Sequence, residues 1–319
     1  MEMDQQTIIL SSSGKRGFTE PTTGFQRFLD LMDRNIRYFF PLPALVIALG
    51  LFLYPVFQLF FLSVSRWELT TTEPRTFVWF ANFIQAFVHD GHFWKSIWLM
   101  LYFAFGSVFF QLVVGFALAL LLNREFKGEA VVRMLLLFPI IATPVAMSLT
   151  WSMMMNPFLG VLNYLFSLVG LGPSEWASST ATVMPALILV EVWHWSPFMM
   201  LVLLAGLKNL PKDPFEAAVI DGASKLQIFT MITLPLMQPY IVLVVIFRLI
   251  HGFRVFDKIF VISGGGPNRA SETLNLMIYH EAFGSLNYGY ASALGVVMLV
   301  IIFVISLGLF RYRERGWRY

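Results

Sequence analysis

Glu216-Ala217-Ala218-Val219-Ile220-Asp221-Gly222-Ala223-Ser224-Lys225-Leu226-Gln227-Ile228-Phe229, running on through Ile232 to Leu234-Pro235, is a polar stretch set between two long apolar ones. Its local signals describe two short helices meeting at a bend. Asp213 is placed to accept backbone N–H bonds as an N-cap, Pro214 suits the first helical position, and Glu216 falls where a capping-box acid belongs. Gly222 lets the chain turn. Ser224 with Gln227 makes a second capping box, and Pro235 is expected to limit the second helix. A capped, folded element between two apolar segments is presented to something.

Composition places the rest of the chain in a bilayer. Of 319 residues, 57% are hydrophobic and only 13% charged, where a soluble domain carries about a quarter charged residues. Six segments are apolar over about 20 residues or more, the length needed to span: Leu42–Val64, Ile97–Leu122, Met134–Met155, Val183–Leu207, Leu236–Ile262 and Tyr288–Phe310. No strand-period alternation competes, so the class is an all-α membrane bundle of six transmembrane helices. The organisation expected is an N-terminal tail over residues 1–41, a six-span domain over 42–310 with the polar loop at 208–235, and a basic C-terminal tail over 311–319. Cysteine is absent, so no disulfide, thiol chemistry or cysteine metal site is available.

Lysine and arginine set the orientation. Both tails and the second and fourth connections together carry fifteen of them, and the other side carries four: Arg66, Arg75, Lys95 and Arg269. Basic residues stay in the cytoplasm. Both termini and the Glu216 loop are therefore expected there. The first forty residues lack the pattern of a cleavable signal peptide. Met1–Pro21 reads as disordered. Phe25, Phe28, Leu29, Met32 and Ile36 then recur at helical spacing, which predicts an amphipathic helix on the inner leaflet. Arg66–Lys95 forms an outer loop in which Trp67, Trp79 and Trp94 suit interfacial anchoring. Asn156–Thr182 forms a second, with a short surface or re-entrant helix near Asn163–Leu168.

Ionisable groups inside spans are costly and mark functional hypotheses. The fourth span carries Glu191 and His194, three apart and on one helical face, with Trp193 and Trp195 on either side of the histidine. The fifth carries Arg248, His251 and Arg254 on one stripe, then Asp257 and Lys258. Two uses are open. A hydrated polar solute needs hydrogen-bonding groups along its route and aromatic faces to pack on, which Trp193, Trp195, Phe253 and Phe256 could supply. Alternatively Arg254–Asp257 is a structural ion pair, Glu191 pairs with the fifth span, and Lys258 snorkels to the outer interface.

Gly264-Gly265-Gly266-Pro267 is not a phosphate loop, because Asn268-Arg269 follows where Gly-Lys-Ser/Thr would be required. It reads as a turn ending a broken helix. His89, His92, His194, His251 and His280 lack metal-ligand spacing, and no nucleophile–base arrangement or nucleic-acid signal emerges.

Glu216-Ala217-Ala218, Gly222, Ile232 and Leu234-Pro235 resemble the EAA loop of bacterial ABC importer permeases, and the fuller string is similar to their carbohydrate, maltose-permease-like branch. Phe253-Arg254-Val255-Phe256-Asp257 and Ile262-Ser263-Gly264-Gly265-Gly266-Pro267 resemble the fifth core span of sugar permeases and the turn after it. Gly160-Val161-Leu162-Asn163-Tyr164-Leu165 is a further, weaker likeness. Many such permeases carry an Arg, an Arg and a Phe-Asp at matching places, so these charges do not mark an acidic substrate. His251-Gly252 and Ser263 depart from the common pattern. The resemblance covers roughly residues 40 to 315.

The resemblance implies an ABC importer type I permease fold with cytoplasmic coupling helices. Glu216, Ala217, Ala218, Asp221, Gly222 and Pro235 would contact a separate ATPase. This chain would bind no cofactor itself, and ATP and Mg would sit on the ATPase dimer. The other implied partners are a second homologous permease, an extracytoplasmic binding protein, a carbohydrate and membrane lipid, in a bacterial cytoplasmic (inner) membrane. Glu191, Trp193, His194, Trp195, Arg248, His251, Arg254 and Asp257 are the candidates for the substrate pathway. Two other classes compete: a proton-coupled secondary transporter relaying through Glu191, His194 and Asp257, and a membrane enzyme or scaffold. The first lacks an evident inverted repeat, and the second lacks a catalytic constellation.

Overall fold

A computed structural model describes residues 36–124 and 126–316. The disordered tail expected over Met1–Pro21 and nearly all of the expected amphipathic helix lie outside the described residues. The chain divides into two compact units, residues 1–57 and 58–319. The described part of the first holds α1 (Ile36–Phe39) and most of α2 (Leu42–Ser63). Leu45, Ile47, Phe52 and Leu53 of α2 are all exposed, as suits a surface meant for an apolar surrounding.

Among the described residues of the second unit, helices and loops are joined by one two-residue ladder, β1 (Ser65–Arg66) against β2 (Thr76–Phe77), and an isolated bridge between Glu68 and Asn287. After α3 (Ala81–Ile84) and a π turn at Gln85–His89, α4 (Gly91–Leu122) starts six residues earlier than Ile97. Asp90 explains this, because its carboxylate caps the helix by accepting from His92 N at 2.9 Å. The later elements are α5 (Glu129–Ile141), α6 (Pro144–Met154), α7 (Val161–Leu168), α8 (Val183–Lys208), α9 (Asp213–Ile220), α10 (Lys225–Ile228), α11 (Leu234–Gly252), α12 (Asp257–Ile262), α13 (Leu274–Tyr279) and α14 (Tyr288–Gly316).

Among the described residues, five helical runs are long and apolar enough to cross a membrane, and six if one bent pair counts as a span. The third expected span is not one rod: α5 and α6 meet at 96°. Pro139 and Pro144 flank the break, and Ala142 and Thr143 are extended there. The fifth expected span stops at Gly252 and resumes at Asp257, and the sixth runs past Phe310 to Gly316.

α8 is the central element, with Met199, Met200 and Leu203 fully buried against Ala104, Val108, Phe116 and Ala119 of α4. α11, α13 and α14 complete this cluster through Met237, Val244, Leu274, Met277, Tyr290 and Leu294. A second cluster joins Met147 of α6, Leu187 and Val190 of α8, and Ile259 and Ile262 of α12. It seats both broken segments on α8.

Small residues let the helix axes approach, as they do in lipid where no hydrophobic force drives helices together. A Cβ on Gly115 would stand 2.5 Å from Met199 Cβ, and one on Gly206 would stand 2.7 Å from the Tyr240 ring. Gly115→Val is therefore expected to lower stability by about 1–3 kcal/mol through overpacking. Thermal unfolding of the detergent-solubilised protein checks this. Gly128→Ala, at a glycine with no neighbour within 4 Å but a positive φ of 93°, should cost only its local backbone strain, about 1–2 kcal/mol.

Candidate functional site: a buried charge cluster and an exposed helical bend

Glu191 lies on the inner face of α8 with no accessible surface. One carboxylate oxygen accepts from Arg248 Nη2 of α11 at 2.7 Å, and the other from Lys258 Nζ of α12. Gln111 of α4 closes the group: its Oε1 accepts from Arg248 Nε at 2.9 Å, and its Nε2 donates to the Glu191 carbonyl at 3.2 Å. The Arg248 guanidinium also lies 4.3 Å from the centroid of the Trp195 ring, a cation–π contact strengthened by exclusion of water. Four helical segments are thus tied by one set of polar contacts.

The pairing of Glu191 with the fifth span is as expected; two other expectations are corrected. Lys258 does not snorkel outward. It is 3% exposed and paired with Glu191, from α12, which restarts the helix after the break at residues 253–256. Arg254 and Asp257 do not form an ion pair within 4.0 Å among the described residues, because Arg254 lies inside the break and only Asp257 is on the restarted helix, so helical spacing does not bring them together. The missed member is Gln111. An uncharged amide in an apolar span was its only signal.

Beside the cluster is a cavity of about 110 Å³, lined in part by Pro144, His194, Trp195, His251, Arg254 and Phe256, with Asp257 and Lys258 also on its wall. Neither ring nitrogen of His194 nor the Trp195 indole nitrogen has a hydrogen-bond partner among the protein groups, a costly condition for buried donors. The His194 ring faces the Ala142 backbone at the α5–α6 break without reaching hydrogen-bond geometry. Trp195 stands 4.8 Å from the His251 ring. The candidates therefore separate. His194, Trp195, His251, Arg254 and Asp257 reach the cavity, whereas Glu191 and Arg248 lie behind it. Trp193 points elsewhere, packing edge-on against Trp151 at 5.5 Å. Phe253 is buried against Phe105, so its face is not available for stacking.

The polar bend forms at the Lys208 end of α8. Asp221, Gly222 and Ala223 end α9 in a Schellman arrangement: Gly222 has φ +77°, its N–H donates to Val219 O at 3.1 Å, and Ala223 N donates to Ala218 O at 2.9 Å. The Ser224–Gln227 capping box is present, with Ser224 N donating to Gln227 Oε1 at 2.8 Å and Gln227 N to Ser224 Oγ at 3.4 Å. One residue separates the two caps, so the bend has almost no free backbone.

Three local expectations are corrected. Asp213 is inside the first turn, and the N-cap is Lys212, which makes no side-chain bond. Glu216 is not a capping-box acid, although both acids remain where the helix dipole favours them. Glu216 instead lines a cleft of about 460 Å³ with Lys208, Lys212, Phe215, Asn123 and Thr233. Pro235 does not limit the second helix, because helical chain runs from Lys225 to Gly252. A π turn at Phe229–Thr233 precedes it, and the wider turn accommodates a ring that would strike the carbonyl four residues back. Around the bend, Val219, Ile220, Leu226 and Met231 are exposed.

Truncating Glu191 leaves two buried cations without their carboxylate. Glu191→Ala is expected to destabilise by about 3–5 kcal/mol, and Lys258→Met by less, since Arg248 keeps its partner. Thermal unfolding of the purified variants checks the order. A Glu191→Ala protein that melts like the wild type while its substrate affinity changes would make Glu191 a ligand.

Residues 111–319 match the family of binding-protein-dependent transport system inner membrane components. The chain is 33% identical over 289 residues to the trehalose/maltose transport system permease protein MalF of Thermococcus litoralis, covering 90% of this chain and 97% of that one. It is 34% identical over 281 residues to the sulfoquinovosyl glycerol transport system permease protein SmoG of Agrobacterium fabrum, covering 88% and 91%. In fold it is similar to a chain of a bacterial ABC transporter involved in the import of the acidic polysaccharide alginate, with TM-score 0.77, 24% identity, and coverage of 91% and 99%. The family match takes in the buried charge cluster, the cavity and the helical bend together, and the chain belongs to the binding-protein-dependent transport system inner membrane components.

Proposed function

We propose that the chain is the permease subunit of an ATP-driven ABC importer for a carbohydrate, forming one half of the translocation route beside a second, related permease. The observation that carries this reading is structural continuity between two sites. His194 and Trp195, with their unpartnered buried polar atoms, lie on the same helix whose Lys208 end leads into the doubly capped bend. From His194 to Lys208 is roughly 21 Å of continuous helix at 1.5 Å per residue. Displacement of the bend is therefore delivered to the cavity wall rather than absorbed.

In this reading the termini and the bend face the cytoplasm, in a bacterial inner membrane. The exposed side chains Val219, Ile220, Leu226 and Met231 meet a separate ATPase subunit that holds ATP and Mg, and a loaded binding protein docks on the opposite side. Closure of two ATPase subunits moves the bend as a rigid piece and rocks α8 and α11, switching the side from which the route is open. His194, Trp195, His251, Arg254 and Asp257 supply the donors, acceptors and aromatic face a sugar requires. Relatives whose names specify a trehalose/maltose system and a sulfoquinovosyl glycerol system support a carbohydrate cargo.

Uptake by vesicles holding the complete transporter is expected to need ATP and to continue when an uncoupler collapses the proton gradient. Loss of uptake with the uncoupler while ATP is maintained would overturn the proposal. Glu216→Lys is expected to abolish uptake with insertion intact. So is Gly222→Pro, because proline holds φ near −65° where the bend requires +77°. Arg254→Ala should raise the KM for uptake at near-wild-type stability, the reverse of what Glu191→Ala does.

A further inference from the structure

The segment between the broken span and α8 contains a helix with its faces reversed for a watery loop. On α7, Val161, Tyr164, Leu165 and Leu168 fall at helical intervals of three and four, and all are exposed. The inward face carries the polar residue. Asn163 is buried, and its amide donates to Pro157 O and Ser174 O, both at 2.9 Å. Its Oδ1 accepts from Ser174 N at 3.0 Å and Trp176 Nε1 at 2.7 Å. This satisfied side chain fixes α7 against the following segment, aided by the Phe166–Trp176 ring contact at 5.1 Å, so the outward apolar face is not a fraying artefact of a loose loop. The turn before it adds Phe158 and Leu159, 93% and 91% exposed. Phe158, Leu159, Val161 and Tyr164 border an open groove of about 680 Å³.

A contiguous apolar surface of this kind calls for a cover. Three features identify it. From Asn156 through Ser174 there is no Lys, Arg, Asp or Glu, whereas a surface for a soluble partner has a polar, commonly charged rim. The segment follows directly from α6, the second limb of the bent apolar pair, and precedes α8, a helix long and apolar enough to span. α7 has eight residues, about 12 Å, and cannot cross a bilayer.

We propose that α7 and the preceding turn form an interfacial anchor. They lie in the plane of the membrane at the Val183 end of α8, with Phe158, Leu159, Leu165 and Leu168 in the acyl region and Tyr164 at headgroup level. The anchor holds the end of α8 remote from the Glu216 bend at a fixed depth, so that motion delivered at one end pivots the helix instead of sliding it. This goes beyond the assignment of a transport role and holds or fails independently of it.

The chain has no native cysteine, which makes single-site labelling direct. Nitroxides placed singly at Leu159→Cys, Leu165→Cys and Leu168→Cys in the complete transporter, reconstituted in phosphatidylethanolamine/phosphatidylglycerol vesicles, are read for collision with oxygen and with a water-soluble nickel chelate. The expected result is that oxygen collisions exceed nickel collisions at all three sites. Collisions dominated by the nickel chelate would show a water-facing surface and overturn the proposal. So would immobile labels shielded from both reagents, which would identify a protein cover, either the binding protein or the second permease. A labelled Ser167→Cys, on the flank of the stripe, extends the measurement should one of the apolar sites fail to assemble.

Discussion

One carboxylate organises the membrane core of this permease. Glu191 stands where water cannot reach and meets two cations, Arg248 and Lys258, from two different helical segments. By formal charge one acid cannot balance both. The remainder is met by weaker groups: the Gln111 carbonyl oxygen on Arg248 Nε, and the Trp195 ring over the guanidinium. Removing water strengthens each of these attractions and equally raises the cost of leaving any group unmet. The arrangement is therefore all-or-none, and it dictates how α4, α8, α11 and α12 sit together.

The broken spans follow from that demand. α11 ends at Gly252 and α12 restarts at Asp257, and across that break Arg248 and Lys258 both reach Glu191 of α8. The α5–α6 bend leaves Pro144 on the wall of the cavity beside His194. Irregular backbone at membrane depth is tolerated where protein or a cavity surrounds it; Phe253 and Val255 of the second break are buried, and Pro144 of the first borders the cavity. The polar cluster and the cavity are thus two results of one packing solution.

What could be read from the chain divides by the range of the interaction. The Gly222 turn and the Ser224–Gln227 box were legible because their partners lie within a few residues, and cap chemistry is written in residue type and spacing. Glu191 and His194 were legible as one buried face because they share a helix. The fate of Lys258 was not, since it depends on a bend whose cause is tertiary. The N-cap at Asp213 failed for a smaller reason: helical geometry begins one residue earlier, at Lys212, and displaces the acid into the first turn. Pro235 misled because a helix-breaking rule assumes an ordinary α ladder, and the π turn ahead of it changes the ladder. Gln111 was invisible because a neutral amide among apolar residues does not reveal that two helices will place charge beside it.

Groups that hold the helices together are distinct from groups that line the cavity. Glu191, Arg248, Lys258 and Gln111 spend their hydrogen bonds on one another. Replacing any of them alters the helix arrangement before it alters recognition. His194 and Trp195 retain unpartnered polar atoms at the cavity, Arg254 and Asp257 bring charge to it, and the His251 ring lines it. Exchange among these residues can retune hydrogen bonding and stacking without disturbing the scaffold behind them. Trp195 belongs to both sets, since one contact is with Arg248 and its indole nitrogen remains open. It joins the cavity to the buried ion cluster, on the same helix whose Lys208 end leads to the Glu216 bend.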